Sequence, residues 1–155
     1  EMLRSLVGSE MCIRDRKNGL IKFEGDYTFG AGANVQVFED AEFIVGGGGD
    51  TNMGVEIVCG KKIQFEDNVF LGRNVIVRDT NGEHYLSRQG YKTSRAVILG
   101  NHAWLCDRCT IMPGVHVYPG GIVGAGAFVM ADVPAFSIVS GNPAQVVDEE
   151  VYWKS

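Results

Sequence analysis

The sequence predicts an all-β solenoid, in which short strands wind in successive coils around one core. Three observations lead to this fold class. Apolar residues recur every six positions through much of the chain, and glycine is abundant, with 21 residues against 4 prolines. A six-residue period fits neither the 3.6-residue repeat of a helix nor a simple hairpin meander. Without a Gly-X-Y period, so much glycine indicates frequent turns rather than collagen.

The six-residue period is regular from Leu99 onward. Its first positions are all Leu, Ile or Val, and its fifth positions are small or β-branched. The first positions are Leu99, Leu105, Ile111, Val117, Val123 and Val129, and the fifth positions are Ala103, Cys109, Val115, Gly121, Ala127 and Val133. Each strand should therefore point one large and one small side chain inward, while Gly, Asn, Asp and Pro turn the corners.

The same register continues upstream and loosens toward the N-terminus. Cys59, Phe65, Leu71 and Val77 hold first positions there, with Ile63, Val69 and Val75 in fifth positions. Further back the spacing widens to eight, through Val37, Val45 and Met53. We expect Gly46–Gly49, in one of these looser coils, to be a surface turn, because a phosphate-binding loop needs a following helix.

Both ends of the chain depart from the repeat. Residues 1–16 share none of it, and Met11–Arg16 matches a translated sequencing-library adapter. We therefore expect residues 1–16 to be a non-native scar and residues 17–155 to form a single domain; the alternative is a native amphipathic N-terminal helix. Residues 144–155 carry apolar side chains at spacings near one helical face, which predicts a cap that closes the coil or docks along it.

Composition and charge narrow the class of protein. The 155 residues are 45% hydrophobic and 21% charged, which is typical of one globular domain. A net charge of −5 provides no general basic surface for nucleic acid. The absence of an apolar run of 18 residues predicts no membrane span. Cys106 and Cys109 form a CxxC pair, but both fit the repeat and lack further zinc ligands or a thioredoxin-like setting, so we expect neither a zinc site nor a redox site there. This use of cysteine favours a reducing, cytoplasmic location.

Four motifs accompany the repeat in a fixed order. They are residues 63–74 (IQFEDNVFLGRN), Val77–Thr80 followed by His84, Leu99–Leu105 (LGNHAWL) and Gly141–Ala144 (GNPA). With these motifs, the chain from about Phe29 to Trp153 resembles the hexapeptide-repeat acyltransferases, and among them the galactoside, maltose and capsular-sugar O-acetyltransferases. This resemblance implies a left-handed parallel β-helix with a projecting active-site loop, residues 80–96, and a short C-terminal cap.

The resemblance also implies an activity, namely acetyl transfer from acetyl-CoA to a hydroxyl of a sugar or glycan, without a metal. His84 would be the general base, because the attacking alcohol must lose a proton and imidazole has a suitable pKa. Transfer would be direct, within a ternary complex, with backbone N–H groups stabilising the oxyanion. Asp79 and Glu83 are candidates to hold the other imidazole nitrogen. His102 and His116 occupy corner positions of the repeat and are expected to be exposed turn residues.

For the donor, the resemblance places the pantetheine arm of coenzyme A along a coil edge near Trp104, Asp107, Gly124 and Ala125. The adenine end would lie near Gly141, Asn142, Pro143 and Ala144, and Asn52 would contact the acceptor. Met130 and Ala131 stand where relatives often carry a lysine or arginine for the coenzyme A phosphates, so Arg108, Lys154 or another subunit would have to compensate. The family also implies a homotrimer with active sites between subunits.

Other function classes remain open at this point. A xenobiotic O-acetyltransferase would differ in the acceptor, which the sequence does not reveal, and a non-catalytic β-helix scaffold would need no base. A γ-type carbonic anhydrase needs three zinc-binding histidines, two of them close in sequence, and the spacing of His84, His102 and His116 does not match. A serine acetyltransferase would carry an N-terminal helical domain, which is not visible.

Overall fold

The computed structural model describes residues 12–15, 17–82, 84 and 86–155. None of these residues belongs to a helix that is long and apolar enough to cross a membrane. The regular elements of the described part are strands. In chain order they are β1 (Cys12–Asp15), β2 (Leu20–Phe23), β3 (Asn34–Val37), β4 (Glu42–Val45), β5 (Asp50–Thr51), β6 (Glu56–Cys59), β7 (Lys62–Phe65), β8 (Phe70–Leu71), β9 (Ile76–Arg78), β10 (Val97–Leu99), β11 (Trp104–Leu105), β12 (Thr110–Ile111), β13 (His116–Val117), β14 (Ile122–Val123), β15 (Phe128–Val129), β16 (Ile138–Gly141) and β17 (Ala144–Asp148).

The strands lie in three sheets, which form the three sides of a coil. Sheet 1 contains β1, β3, β6, β9, β12 and β15; sheet 2 contains β2, β4, β7, β10 and β13; sheet 3 contains β5, β8, β11, β14, β16 and β17. From β3 to β15 the chain visits sheets 1, 2 and 3 in turn, and paired strands of neighbouring coils run parallel. Among the described strands β17 is the exception, because it runs antiparallel to β16. The expected left-handed parallel β-helix is confirmed.

The large inward side chains stack in columns. In sheet 1 the register aligns Val35, Ile57, Val77, Ile111 and Val129, and each is at most 1% exposed. Burying one such side chain contributes about 1.5–3 kcal/mol, and each coil obtains this burial from its neighbours. The first- and fifth-position residues of the regular hexads are all buried, which confirms the six-residue period.

The corners of the coil require left-handed backbone. At corner 3–1, where the chain passes from sheet 3 to sheet 1, Gly54, Asn74, Arg108 and Gly126 hold equivalent positions with φ of 70°, 55°, 60° and 69°. Glycine adopts this conformation without penalty and asparagine tolerates it, whereas the Cβ of Arg108 crowds the backbone there. A left-handed position at each corner therefore accounts for much of the glycine in the composition.

The looser N-terminal coils change one expected core residue. Met53 is 54% exposed, so its assignment to the inward column is wrong, whereas Val37 and Val45 are fully buried as expected. Thr51, 4% exposed, takes the inward position on β5. Its hydroxyl accepts a hydrogen bond of 3.0 Å from the Gly30 N–H, and this satisfies the polar atom that lies in the core six residues after Val45.

The glycine run forms the corner between β4 and β5, as expected for a turn. A Cβ on Gly46 would lie 2.6 Å from the Glu66 carbonyl oxygen, and one on Gly49 would lie 2.1 Å from that of Val69. Backbones of adjacent coils approach closely here, so glycine is required for steric reasons rather than for binding phosphate.

The two ends of the chain add strands to the sheets. Cys12–Asp15, which we set aside from the fold, pairs with Asn34–Val37, and Ile13 packs against the core. The non-native origin of residues 1–16 stays a prediction. At the other end, the helical spacing of residues 144–155 is misleading, because Ala144–Asp148 is a strand that covers the free edge of β16. Val146 and Val147 are 45% and 62% exposed, so they do not form one buried helical face.

Candidate active site

A long loop interrupts the coil at corner 1–2, where the chain passes from sheet 1 to sheet 2. The chain leaves after β9 and returns at β10. Its stem is closed by a bridge between Thr80 and Ser94, whose hydroxyl groups are hydrogen-bonded at 2.9 Å, and by a hydrogen bond of 3.0 Å from the Asn81 N–H to the Thr93 carbonyl. The loop therefore projects from a fixed base on a rigid scaffold, which is a common setting for functional residues.

His84 lies in this loop and is exposed. Its neighbours Glu83 and Tyr85 lie outside the described residues, so the support expected from Glu83 stays a prediction. An exposed imidazole on a projecting loop is accessible to a substrate.

Asp79, the other candidate support, lies at the base of the loop and has no solvent exposure. Its Oδ1 accepts a hydrogen bond of 2.6 Å from the Gly60 N–H, and its Oδ2 accepts bonds of 2.8 and 2.6 Å from the N–H groups of Lys61 and Lys62. Burial raises the pKa of this carboxyl, and the three backbone donors oppose the shift. Among the described contacts Asp79 therefore holds the turn at residues 60–62 and makes no hydrogen bond to His84.

The donor candidates gather at a different corner. Along corner 3–1 the N–H groups of Asn52, Gly72, Cys106 and Gly124 each donate to a sheet 3 carbonyl in the next coil, namely that of Leu71, Leu105, Val123 and Val139. These four residues form one row. The residues after them, including Asp107 and Ala125, form a second row, which Gly141 continues in the next coil. The structure thus brings the acceptor candidate Asn52 and most donor candidates to one edge.

Close packing of coils explains the side chains in these rows. A Cβ on Gly124 would lie 3.0 Å from the Ser140 hydroxyl oxygen. Asp107 Oδ1 accepts a hydrogen bond of 2.8 Å from the Arg73 N–H, so this carboxylate ties two coils together. Asn52 Oδ1 accepts a bond of 2.8 Å from the Met53 N–H, which leaves its amide nitrogen exposed. Ala125 is exposed and leaves the edge open.

The Gly141–Ala144 motif forms the turn between β16 and β17. Gly141 pairs with Ala144, so Asn142 and Pro143 are the two turn residues, joined by a cis peptide bond. Gly141 has φ of 97°, which favours glycine. The turn reverses the chain at corner 3–1, at the end of the row that contains Asp107 and Ala125.

Trp104 lies on the outer face of sheet 3 and is 40% exposed. Sequence analysis missed the aromatic cluster around it, which the C-terminal tail completes. The Trp153 ring stacks on His102, with centroids 3.8 Å apart, and contacts Trp104 at 5.4 Å and Phe70 at 5.5 Å. Trp153 Nε1 donates to the His102 carbonyl at 3.0 Å, and His102 Nε2 lies 2.9 Å from the Trp153 carbonyl. The sequence signal for this cluster is that Phe70 and Trp104 hold the same position in the repeat, so that they lie side by side on adjacent strands of sheet 3.

The other histidines and the cysteines are structural. His102 is at a corner with φ of 59°, as expected, but it is half-buried under Trp153. His116 is on strand β13 rather than at a corner, and it stacks on Tyr118 at 3.8 Å. Burial raises the pKa of Cys59 and of Cys109 to about 12. These two thiols stay protonated near neutral pH and are poor nucleophiles.

No protein-family model matches the chain. The galactoside O-acetyltransferase of Escherichia coli (strain K12) is 30% identical over 100 residues, which cover 63% of this chain and 49% of that protein. A solved hexapeptide-repeat-containing acetyltransferase from Vibrio cholerae, complexed with acetyl coenzyme A, superposes with a TM-score of 0.62 at 20% identity, over 93% of this chain and 70% of that one. The chain is thus similar to a galactoside O-acetyltransferase in sequence and to a hexapeptide-repeat acetyltransferase in fold.

A second solved structure matches this hexapeptide-repeat chain over its whole length. The polySia-specific acetyltransferase NeuO superposes with a TM-score of 0.73 at 19% identity, covering 100% of this chain and 84% of that one. The hexapeptide-repeat chain spans about half of the galactoside O-acetyltransferase. The likeness to the solved structures establishes its fold.

Proposed function

We propose that this protein is an acetyl-CoA-dependent O-acetyltransferase that acts on a hydroxyl of a sugar or glycan. The observation that carries the proposal is an exposed histidine on the loop that interrupts a rigid β-helix, in a chain homologous to acetyltransferases. The galactoside O-acetyltransferase supports the sugar acceptor, and the Vibrio cholerae complex supports acetyl-CoA as the donor.

In this mechanism His84 acts as the general base. One imidazole nitrogen accepts the proton of the substrate hydroxyl as its oxygen attacks the thioester carbonyl. The tetrahedral oxyanion is stabilised by backbone N–H groups and collapses with cleavage of the carbon–sulfur bond. The proton held by His84 passes to the departing thiolate, so the products are the O-acetyl sugar and free coenzyme A.

The two rows at corner 3–1 are suited to the donor. Small residues at Gly124, Ala125 and Gly141 let the pantetheine arm approach the backbone, and the arm can then hydrogen-bond as an added strand would. Trp104 would line the thioester end, and Asn142, Pro143 and Ala144 would border the adenine end. Asp107 is already bonded to Arg73 in the free chain, so its contribution would be the second carboxylate oxygen or its backbone.

The geometry favours an active site shared between chains. His84 is on the loop at corner 1–2, whereas the donor candidates lie at corner 3–1, and one side of the coil separates the two corners. At about 3.3 Å per residue, a six-residue side is up to roughly 20 Å long. A homotrimer in which the loop of one subunit faces corner 3–1 of the next would bring the base to the donor.

The test is release of coenzyme A thiol from acetyl-CoA in the presence of a panel of mono- and oligosaccharides, with an antibiotic hydroxyl and an amino sugar included. Acceptor-dependent release is expected, and His84→Ala should lower kcat about 100-fold or more while coenzyme A binding is retained. His116→Ala is the matched control, since His116 is on strand β13 and stacks on Tyr118. Equal activity in His84→Ala, or a wild-type protein that neither binds coenzyme A nor transfers acetyl groups, would refute the proposal.

A further inference from the structure

The projecting loop contains a basic pocket that the acetyl-transfer chemistry does not use. Its lining consists of Leu86, Arg88, Gly90, Tyr91, Lys92 and Arg95, which surround a cavity of about 200 Å³. Three of these six side chains are cationic, and none is acidic. The chain as a whole carries a net charge of −5, so positive charge is concentrated here against the overall balance.

The cations of this pocket have no anionic partner among the described residues, where the ion pair found is Lys22–Glu24, in β2 and just after it. Arg88, Lys92 and Arg95 are all exposed. Unpaired cations that converge on one cavity create a local positive potential, which attracts an anionic group. Arg88 and Arg95 can also bind a carboxylate or phosphate in bidentate fashion.

The walls of the pocket are fixed to the scaffold. The Tyr91 hydroxyl accepts a hydrogen bond of 2.7 Å from Asn81 Nδ2. The Arg95 N–H donates to the Asp79 carbonyl at 2.8 Å, and the Arg95 carbonyl accepts from the Gly114 N–H at 3.0 Å. The Arg95 side chain lies over Gly114, where an added Cβ would be 3.3 Å from its guanidinium carbon. These contacts position Tyr91 and Arg95 before any ligand arrives, which lowers the entropic cost of binding at this side of the pocket.

We propose that this pocket binds an anionic substituent of the acceptor, so that the preferred substrate is an acidic glycan rather than a neutral sugar. The inference rests on the proposed function, because it takes the loop of His84 to be the acceptor side of the active site. A cavity of about 200 Å³ is smaller than the 300–1,000 Å³ typical of whole-ligand sites. It suits one carboxylate or phosphate group, while the rest of the glycan extends toward His84.

The acceptor is a better source of this anion than the donor. Arg88 is four residues after His84, and the general base must touch the acceptor hydroxyl. In coenzyme A the phosphates are at the end of the pantetheine arm remote from the thioester, so they are far from the reacting atoms. A cation cluster in the loop of the base is therefore suited to an anion of the attacking sugar.

The experiment compares oligosialic acid and a hexuronic acid oligosaccharide with their carboxyl-reduced, neutral counterparts as acceptors. Wild type should have a KM at least about five-fold lower for each acidic acceptor, and added salt should reduce the difference. Arg88→Gln and Lys92→Gln should each remove most of the preference by raising the acidic acceptor's KM, with kcat and the KM for acetyl-CoA little changed. Lys22→Gln is the charge-matched control at the other end of the coil.

Each alternative outcome identifies what has failed. Equal use of acidic and neutral acceptors by wild type would overturn the acidic-glycan inference and leave the acetyltransferase intact. A raised KM for acetyl-CoA in Arg88→Gln, without a change for the acceptor, would assign the pocket to the donor phosphates and also overturn it. If no acetyl transfer occurs, binding of oligosialic acid that Arg88→Gln weakens and carboxyl reduction abolishes would support the pocket while the proposed function fails; absence of such binding would overturn both.

Discussion

At the scale of single residues, Asp79 has a different role from the one that the sequence suggested. Its place just before the loop suggested a partner for the imidazole. The structure instead has its carboxylate accepting three backbone N–H groups of residues 60–62. This turn belongs to the preceding coil, so Asp79 joins two coils at the point where the loop departs, and the sequence pattern alone contains no signal for such a contact.

We predict that Asp79→Ala lowers the free energy of unfolding by about 2–3 kcal/mol, because three partly buried donors lose their acceptor. Asp79→Asn keeps one acceptor oxygen and should cost about half as much. Urea unfolding followed by circular dichroism measures both. If Asp79→Ala unfolds at the wild-type urea midpoint, Asp79 does not anchor the turn, and its role would have to be sought in the loop.

At the scale of elements, the strands and the C-terminal segment differ in how well the sequence predicts them. The inward positions from Leu99 onward are correct because a regular six-residue side fixes which side chain meets the core. Thr51 takes the inward place expected for Met53, because the side from Val45 to β5 is again six residues long rather than eight. The helical interpretation of residues 144–155 is wrong because their apolar residues belong to two different structures. Some lie in β17, at the edge of sheet 3, and Trp153 packs on the outer face of that sheet.

The docked tail should stabilise the C-terminal coils. Trp153→Ala is predicted to lower the free energy of unfolding by about 1–2 kcal/mol, because the stacking of a half-buried indole on His102 and the hydrogen bond donated by its Nε1 are lost. In this variant Trp104 is the remaining tryptophan, and a red shift of its fluorescence should report that its side chain has become more exposed. Tyr152→Ala is the matched control, since Tyr152 is 76% exposed and should change stability by less than about 0.5 kcal/mol. Equal effects of the two variants would contradict a specific docking role for Trp153.

At the scale of the whole molecule, the periodic pattern determines the fold but not the arrangement of the candidate site. Counting three six-residue sides per coil assigns each hexad to a corner. This count places His84 and Gly124 at different corners. The basic pocket escaped prediction because Arg88, Lys92 and Arg95 lie outside the six-residue repeat and meet only through the path of the loop. The repeat of one chain also does not indicate which residues of another chain the loop would contact in the proposed shared site.

A mixing experiment can test the shared site directly. His84→Ala removes the base, and Ala125→Phe should block the donor edge without disturbing the core, because Ala125 is exposed. Each variant alone should be nearly inactive. If the base and the donor edge come from different subunits of a cyclic trimer, trimers assembled from an equal mixture should recover about one quarter of wild-type activity, since that fraction of interfaces pairs an intact loop with an intact edge. Size-exclusion chromatography should show that both variants assemble as the wild-type protein does. Activity no higher than in the separate variants, despite proven mixing, would mean that loop and edge of the same chain form the site.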